Sequence, residues 1–379
     1  MGGVLVSVRL RFLAAVRRLR PGGSTGGLDR GVALRGRVWT GTAAGVLADA
    51  VVVVGPDGLV AALVPAGEPA GRHLPDGLRL LGGPGAWVGP GVVDAHVHLA
   101  FGGPDRALAG GVVAVRDLGA PPALAAAWRG HGAPCCVVAG PVVTAPGGYP
   151  SRSWGAAGFA SFATDPAQAR RLVRDLADGV DLLKVALEPG GGAPVPSPAV
   201  LHALVDAAHA AGLRVTAHAL TVEMVVRALD AGVDELAHTP VQPLPPALVD
   251  RIAGAGVPVV STLQTFATGG AGGGPGANAR ALHAAGVPLL YGTDLGNTGT
   301  RPGVDPRELD RLADAGLGRE GALRLAVSTG ARCGLGGPDG TIRVGQPASL
   351  VLLPEDPLQD PLAWRVPTAV LTAGRLLTP

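Results

Sequence analysis

Lysine is almost missing from this chain of 379 residues: thirty of its 31 basic side chains are arginine, and the single lysine is Lys184. Aromatic residues are scarce, at 3%, and there are only three cysteines. A formal net charge of +2 with so few stacking rings provides no basic, aromatic stripe, which argues against a nucleic-acid partner. Cys135, Cys136 and Cys333 are odd in number and two are adjacent, so no disulfide framework is indicated and a reducing, cytoplasmic setting is expected. No apolar run reaches the length of a membrane span. The first 23 residues interleave Arg9, Arg11, Arg17, Arg18 and Arg20 with Val and Leu, without the apolar core and small-residue cleavage site of a secretion signal. Residues 1–30 read as a basic, poorly ordered extension.

What the chain has in quantity is glycine (61), proline (35), Ala, Val and Leu, a composition in which lysine has given way to arginine. A lysine kept under that bias is one whose chemistry arginine does not supply. Arginine stays protonated, whereas a buried lysine can lose its proton and act as a neutral amine. Lys184 lies within Val180-Asp181-Leu182-Leu183-Lys184-Val185-Ala186-Leu187, a run that reads as a buried strand. A lysine that only snorkelled from a strand end would be served equally well by arginine.

Over residues 89–335, apolar strands alternate with Ala/Arg/Asp-rich helical stretches. The pattern predicts strands at Val92–His98, Val112–Asp117, Cys135–Ala139, Asp181–Leu187, Arg214–His218, Glu235–His238, Val257–Thr262 and Pro288–Asp294. Helices are predicted at Pro166–Asp178, Ala199–Ala211 and Thr221–Ala231 among others. Eight such units make the fold class α/β, a (β/α)8 TIM barrel. The flanks, 31–88 and 336–379, carry short β segments: Val32–Val38, Val51–Val54 and Leu59–Val64, then Ser349–Leu353 and Ala369–Thr372. They are expected to join in one small composite β-sandwich. Gly269–Gly276 reads as a flexible loop.

The period of two puts Asp94, His96 and His98 on one face of the first barrel strand, with Val93, Ala95, Val97 and Leu99 on the other. Two imidazoles at that spacing can share one metal ion. His218, His238 and Asp294 each end a predicted strand, on the rim where barrel enzymes build their sites. A lone histidine of this kind is commonly a satisfied core residue; five such ligands converging on one rim point to a metal. His73, His131, His202, His209 and His283 fall in turns or on helices and read as structural.

These residues resemble a known family. Pro90-Gly91-Val92-Val93-Asp94-Ala95-His96-Val97-His98 is similar to the first-strand motif of the amidohydrolase superfamily. Val112-Val113-Ala114-Val115-Arg116-Asp117-Leu118-Gly119 resembles its second-strand motif, and Gly340–Leu350 its tail motif. The match is strongest to the imidazolonepropionase-like or prolidase-like branch. The resemblance implies a metal-dependent hydrolase cleaving a carbon–nitrogen bond in an amide, cyclic amide or dipeptide, with a small-molecule substrate and room for homo-oligomers. It implies two divalent ions (zinc first; manganese, iron or cobalt as alternatives) held by His96, His98, Lys184, His218, His238 and Asp294. Lys184, carboxylated by carbon dioxide, would bridge them, which only a neutral amine can do. Asp294 would take the proton of the attacking water and pass it to the leaving nitrogen, with His238 beside it as a second catalytic residue.

The chain departs from the family pattern at Ser349, where Asp is usual, and at Tyr149, where histidine is common. Tyr149 and Arg152, after the third strand, are the candidate substrate-binding residues. Two other readings share the residues. A mononuclear deaminase would use His238 catalytically and have no need of Lys184, whereas a lactonase or phosphotriesterase would keep the binuclear site.

Overall fold

A computed structural model describes residues 26–28, 30–42, 45–65, 77–268, 274–332 and 339–379. Most of the basic extension, His73, Cys333 and residues 269–273 of the expected glycine loop lie outside the described residues. Residues 274–276 open the helix Gly274–Ala284 instead of continuing a loop.

The two flanks share one eight-stranded sheet. The strand that splices them is Arg79–Pro90, a segment whose Gly82-Gly83-Pro84-Gly85 run obscures it in the sequence. It pairs in parallel with Val32–Trp39 on one side and antiparallel with Leu350–Leu353 on the other. Where a two-sheet sandwich was expected, hydrogen bonding is therefore continuous across the seam between the flanks. Alternate residues such as Val32, Leu34, Val52, Val54, Leu350 and Leu371 form one buried cluster, so the sheet curls over its own apolar face. Gly26–Gly27 pairs with Arg375–Leu377 and carries the sheet into the segment read as extension. The opposite face carries tryptophans, with Trp39 stacked on Trp87 at 6.2 Å and Trp364 edge-on to Trp87 at 5.9 Å, and meets the central segment there: the Arg324 guanidinium lies 5.3 Å over the Trp39 ring.

The central segment forms two parallel sheets. One holds Val92–Val97, Val112–Asp117 and Cys135–Val138. The other begins with Ala160–Phe162 and Val142–Thr144, then runs through Leu182–Leu187, Arg214–Ala219, Glu235–Leu236, Val259–Val260 and Leu289–Leu290. The predicted eight are all present, several shorter than expected. After Gly140, at φ +65°, the third strand resumes as Val142–Thr144, and Val143 pairs with Val185. Backbone hydrogen bonds join the two sheets at both edges. Asp181 N donates to Val138 O at 2.8 Å; Ala95 N donates to Tyr291 O at 2.9 Å, and His98 N to Leu295 O at 2.7 Å.

Helices Pro166–Ala177, Pro198–Ala210 and Val222–Asp230 start where their caps dictate. Asp165, Ser197 and Thr221 accept from the backbone N–H of Gln168, Val200 and Met224, satisfying donors the first turn leaves free. Pro166 and Pro198 occupy first helical positions, where a missing N–H costs nothing. Cys135 is exposed and Cys136 buried, both as free thiols.

Candidate metal centre

His96 is fully buried at the end of its strand, and its Nδ1 donates to Ala237 O at 2.8 Å. That bond fixes the tautomer and leaves Nε2 as a lone pair turned into the site. Oδ1 of Asp294 lies 3.3 Å from Nε2 of His96 and 3.3 Å from Nε2 of His98. His96 Nε2 and Asp294 Oδ1 are both buried without a hydrogen-bond partner. Buried acceptors facing one another across 3.3 Å are costly unless a cation lies between them. The ligand atoms of His96, His98 and Asp294 all lie within 4.8 Å of one another, a group that could hold a metal ion.

Two non-glycine positions around this group are left-handed: Asp294 at φ +54° and, far less commonly for its type, the β-branched Thr262 at φ +44°. Strain of this kind persists where the surrounding structure enforces it, commonly at functional sites. Thr262 uses its position to meet His238, with Oγ1 3.1 Å from Nδ1.

The other histidines adjoin the group. The ring centroid of His238 is 4.5 Å from that of His96 and 4.7 Å from that of His218. Nε2 of His218 is 3.3 Å from Oε2 of Glu188. Burial holds His96 and His238 well below the ordinary histidine pKa and lowers His218, which favours the neutral, ligating form. Lys184 is the third residue of Leu182–Leu187, 3% exposed. Burial pulls its pKa down to about 7, opposed by the Asp294 carboxylate and assisted by Arg116. Nearby, Arg116 and Glu235 form a buried two-pronged pair, with Arg116 Nε donating to Ala95 O at 2.8 Å and Thr216 Oγ1 to Glu235 at 2.8 Å. Each charge in the pair has several partners, the condition under which burial is tolerated. Asp94 ties the first strand to the last: it accepts from His96 N, Thr293 N and, at 2.6 Å, Thr293 Oγ1.

Of the two candidate substrate residues, Tyr149 lies against His218, ring centroids 5.0 Å apart. Arg152 is exposed, with its guanidinium near Gly147. Glu188, Thr262 and Trp154 adjoin the histidines, and Glu235 lies near Lys184, without having been singled out from the sequence. Glu188 alone had a signal there, as a carboxylate one position past the Lys184 strand.

The sequence and structure of other proteins agree with this geometry. The amidohydrolase family profile matches residues 87–377. The chain belongs to the amidohydrolase family. Among curated proteins, this amidohydrolase is 32% identical over 329 residues to uncharacterized protein Rv2915c of Mycobacterium tuberculosis, covering 78% of this chain and 86% of the relative. Among solved structures, a Bifidobacterium longum protein assigned as a prolidase superposes with a TM-score of 0.77 at 27% identity, over 92% of this chain and 95% of its own. A Xaa-Pro dipeptidase with bound methionine in its active site gives a TM-score of 0.77 at 19% identity, over 92% of this chain and 100% of its own, and supports the fold alone. These neighbours are prolidase-like amidohydrolases, and with them this protein is a hydrolase whose fold is a barrel with a small added domain. Among the described residues, no helix is long and apolar enough to cross a membrane.

Proposed function

We propose that this amidohydrolase cleaves a carbon–nitrogen bond, in an amide, cyclic amide or dipeptide, at a two-metal centre on the rim of a closed (β/α)8 barrel. Barrel closure is supported by the backbone hydrogen bonds that join the two parallel sheets at both edges. In this reading the barrel spans residues 89–335, and 31–88 with 336–379 make up the small β domain. The observation that carries the functional reading is the pair of histidine Nε2 atoms converging on one unpartnered carboxylate oxygen of Asp294.

His96, His98 and Asp294 would hold one divalent ion, and His218 and His238 the other, with zinc the first candidate. Lys184 would bridge them as a carbamate: its pKa near 7 leaves much of the amine neutral, the form that adds carbon dioxide. Ions held there supply Lewis-acid polarisation of the scissile carbonyl and a water acidic enough to attack at neutral pH. Asp294 would accept a proton from the attacking water and deliver it to the departing nitrogen, which must be protonated before the bond breaks. Thr262 and the Ala237 carbonyl orient His238 and His96. Tyr149, beside His218 and held protonated by burial, which raises its pKa to about 12, would donate a hydrogen bond to substrate.

The test is a hydrolysis screen of dipeptides, N-acyl amino acids and lactones with zinc- or manganese-loaded protein. Chelator-sensitive turnover of amides supports the reading. Turnover confined to lactones or phosphotriesters, or amine-releasing deamination with one metal per chain, overturns it.

A further inference from the structure

The chain has 5 Trp, 2 Tyr and 5 Phe, and five of these twelve rings surround the metal-centre histidines. Phe266 packs edge-on to His238 at 5.3 Å and Tyr149 lies over His218. The other three, Phe101, Trp154 and Phe159, line up outward from His98. Trp154 is the hub. Its centroid is 4.7 Å from His98, 6.1 Å from Phe101 and 5.9 Å from Phe159, and its Nε1 donates to Tyr149 Oη at 3.1 Å. Phe101 is 42% exposed, whereas Phe159 behind it is 3% exposed. An apolar path of rings therefore runs from solvent to the first-strand histidine pair. The backbone makes room for it at Gly119, where a Cβ would lie 3.0 Å from Trp154 Cη2 and 3.1 Å from His98 Nδ1.

A chain so poor in aromatics has kept them here beside water, on a half-buried surface where aliphatic residues would pack as well. We propose that Phe101, Trp154 and Tyr149 form a recognition wall for substrates that carry an aromatic ring next to the scissile bond. This rests on the amide-hydrolase reading of the same site. Offset or edge-to-face contact with Trp154 and Phe101 rewards a ring over an alkyl group beyond the area each buries. At the His218 end of the wall, the Tyr149 hydroxyl proton and the Glu188 carboxylate add polar groups.

The experiment uses metal-loaded full-length protein and two matched pairs: phenylacetylglycine against acetylglycine, and acetylphenylalanine against acetylalanine. The expected result is that kcat/KM favours the ring in at least one pair by on the order of tenfold to a hundredfold, and the favoured pair identifies which side of the bond faces the wall. Trp154→Ala should collapse that ratio toward one, Trp154→Phe should keep most of it, and circular dichroism of both variants guards against misfolding. Ratios near one in the wild type, or a ratio that survives Trp154→Ala, overturn the wall while leaving the hydrolase intact. No turnover of any of the four, together with failure of the wider amide screen, overturns the hydrolase reading itself.

Discussion

Oδ1 of Asp294, on a backbone held at φ +54°, stands 3.3 Å from Nε2 of His96, whose other ring nitrogen donates to Ala237 O. Without a cation between them, carboxylate oxygen and imidazole lone pair repel. With one, the same pair becomes two ligands. The sign of Asp294's effect on stability should therefore invert with metal. In chelator-treated protein, Asp294→Asn should raise Tm by a few degrees, because an amide N–H can donate where the carboxylate could not. In zinc-loaded protein the same variant should melt below wild type and lose at least about 10²-fold in kcat, the scale of a lost general base. Thermal melts of wild type and Asp294→Asn in both states check this.

Lys184 tests the retained-lysine argument. Lys184→Arg should abolish most activity although arginine serves at every other basic position, since a guanidinium forms no carbamate and sets a fixed positive charge between two cations. Lys184→Ala should also be inactive, with partial rescue by short-chain carboxylates that fill the vacated bridge; Lys184→Arg should not be rescued. Bicarbonate during expression should raise the metal content of wild type only. Near-normal turnover and two metals per chain in Lys184→Arg would make Lys184 structural.

Glu308 gives a pH dependence away from the metal ligands. Its carboxylate accepts from the backbone N–H groups of Leu263 and Gln264, yet full burial dominates and raises its pKa from 4.5 to about 7. The folded state then holds a proton that the unfolded state has released between those two values, so this group's contribution to stability falls as pH rises through that window. Glu308→Gln carries no such proton. Relative to wild type it should gain stability between pH 5 and pH 8, by on the order of 3 kcal/mol at most, measured by urea unfolding of the metal-free proteins. A difference that does not change with pH would contradict the assignment.

Trp87, 1% exposed, stacks on Trp39 and meets Trp364 edge-on, and the three share one buried cluster with barrel residues such as Val92 and Val112. Trp87→Ala should cost about 3–5 kcal/mol in urea unfolding. A loss below about 1 kcal/mol would mean the β domain and the barrel are not coupled through these rings.

The strands and histidines were legible because a buried parallel strand is a continuous apolar run, and a strand carrying candidate ligands breaks that run at a fixed period, as His96 and His98 do. The splicing strand Arg79–Pro90 was not, since glycine and proline mark turns in a single sequence and only its two long-range partners hold it extended. Thr262 and Glu308 gave no local signal, because the contacts that define them span 24 and 45 residues. Trp154 sits in an irregular Ser/Gly segment where no periodicity assigns a face. Arg152, chosen from the sequence beside Tyr149, is exposed, whereas its neighbour Trp154 touches His98.

The two-metal centre itself is tested most directly by anomalous diffraction from crystals of zinc-loaded protein. The account predicts two zinc peaks per chain, one among His96, His98 and Asp294 and one between His218 and His238, with density for a carboxylated Lys184 joining them at metal–ligand distances of about 2 Å. A single peak with a bare Lys184 amine, or no metal at these residues, would contradict it.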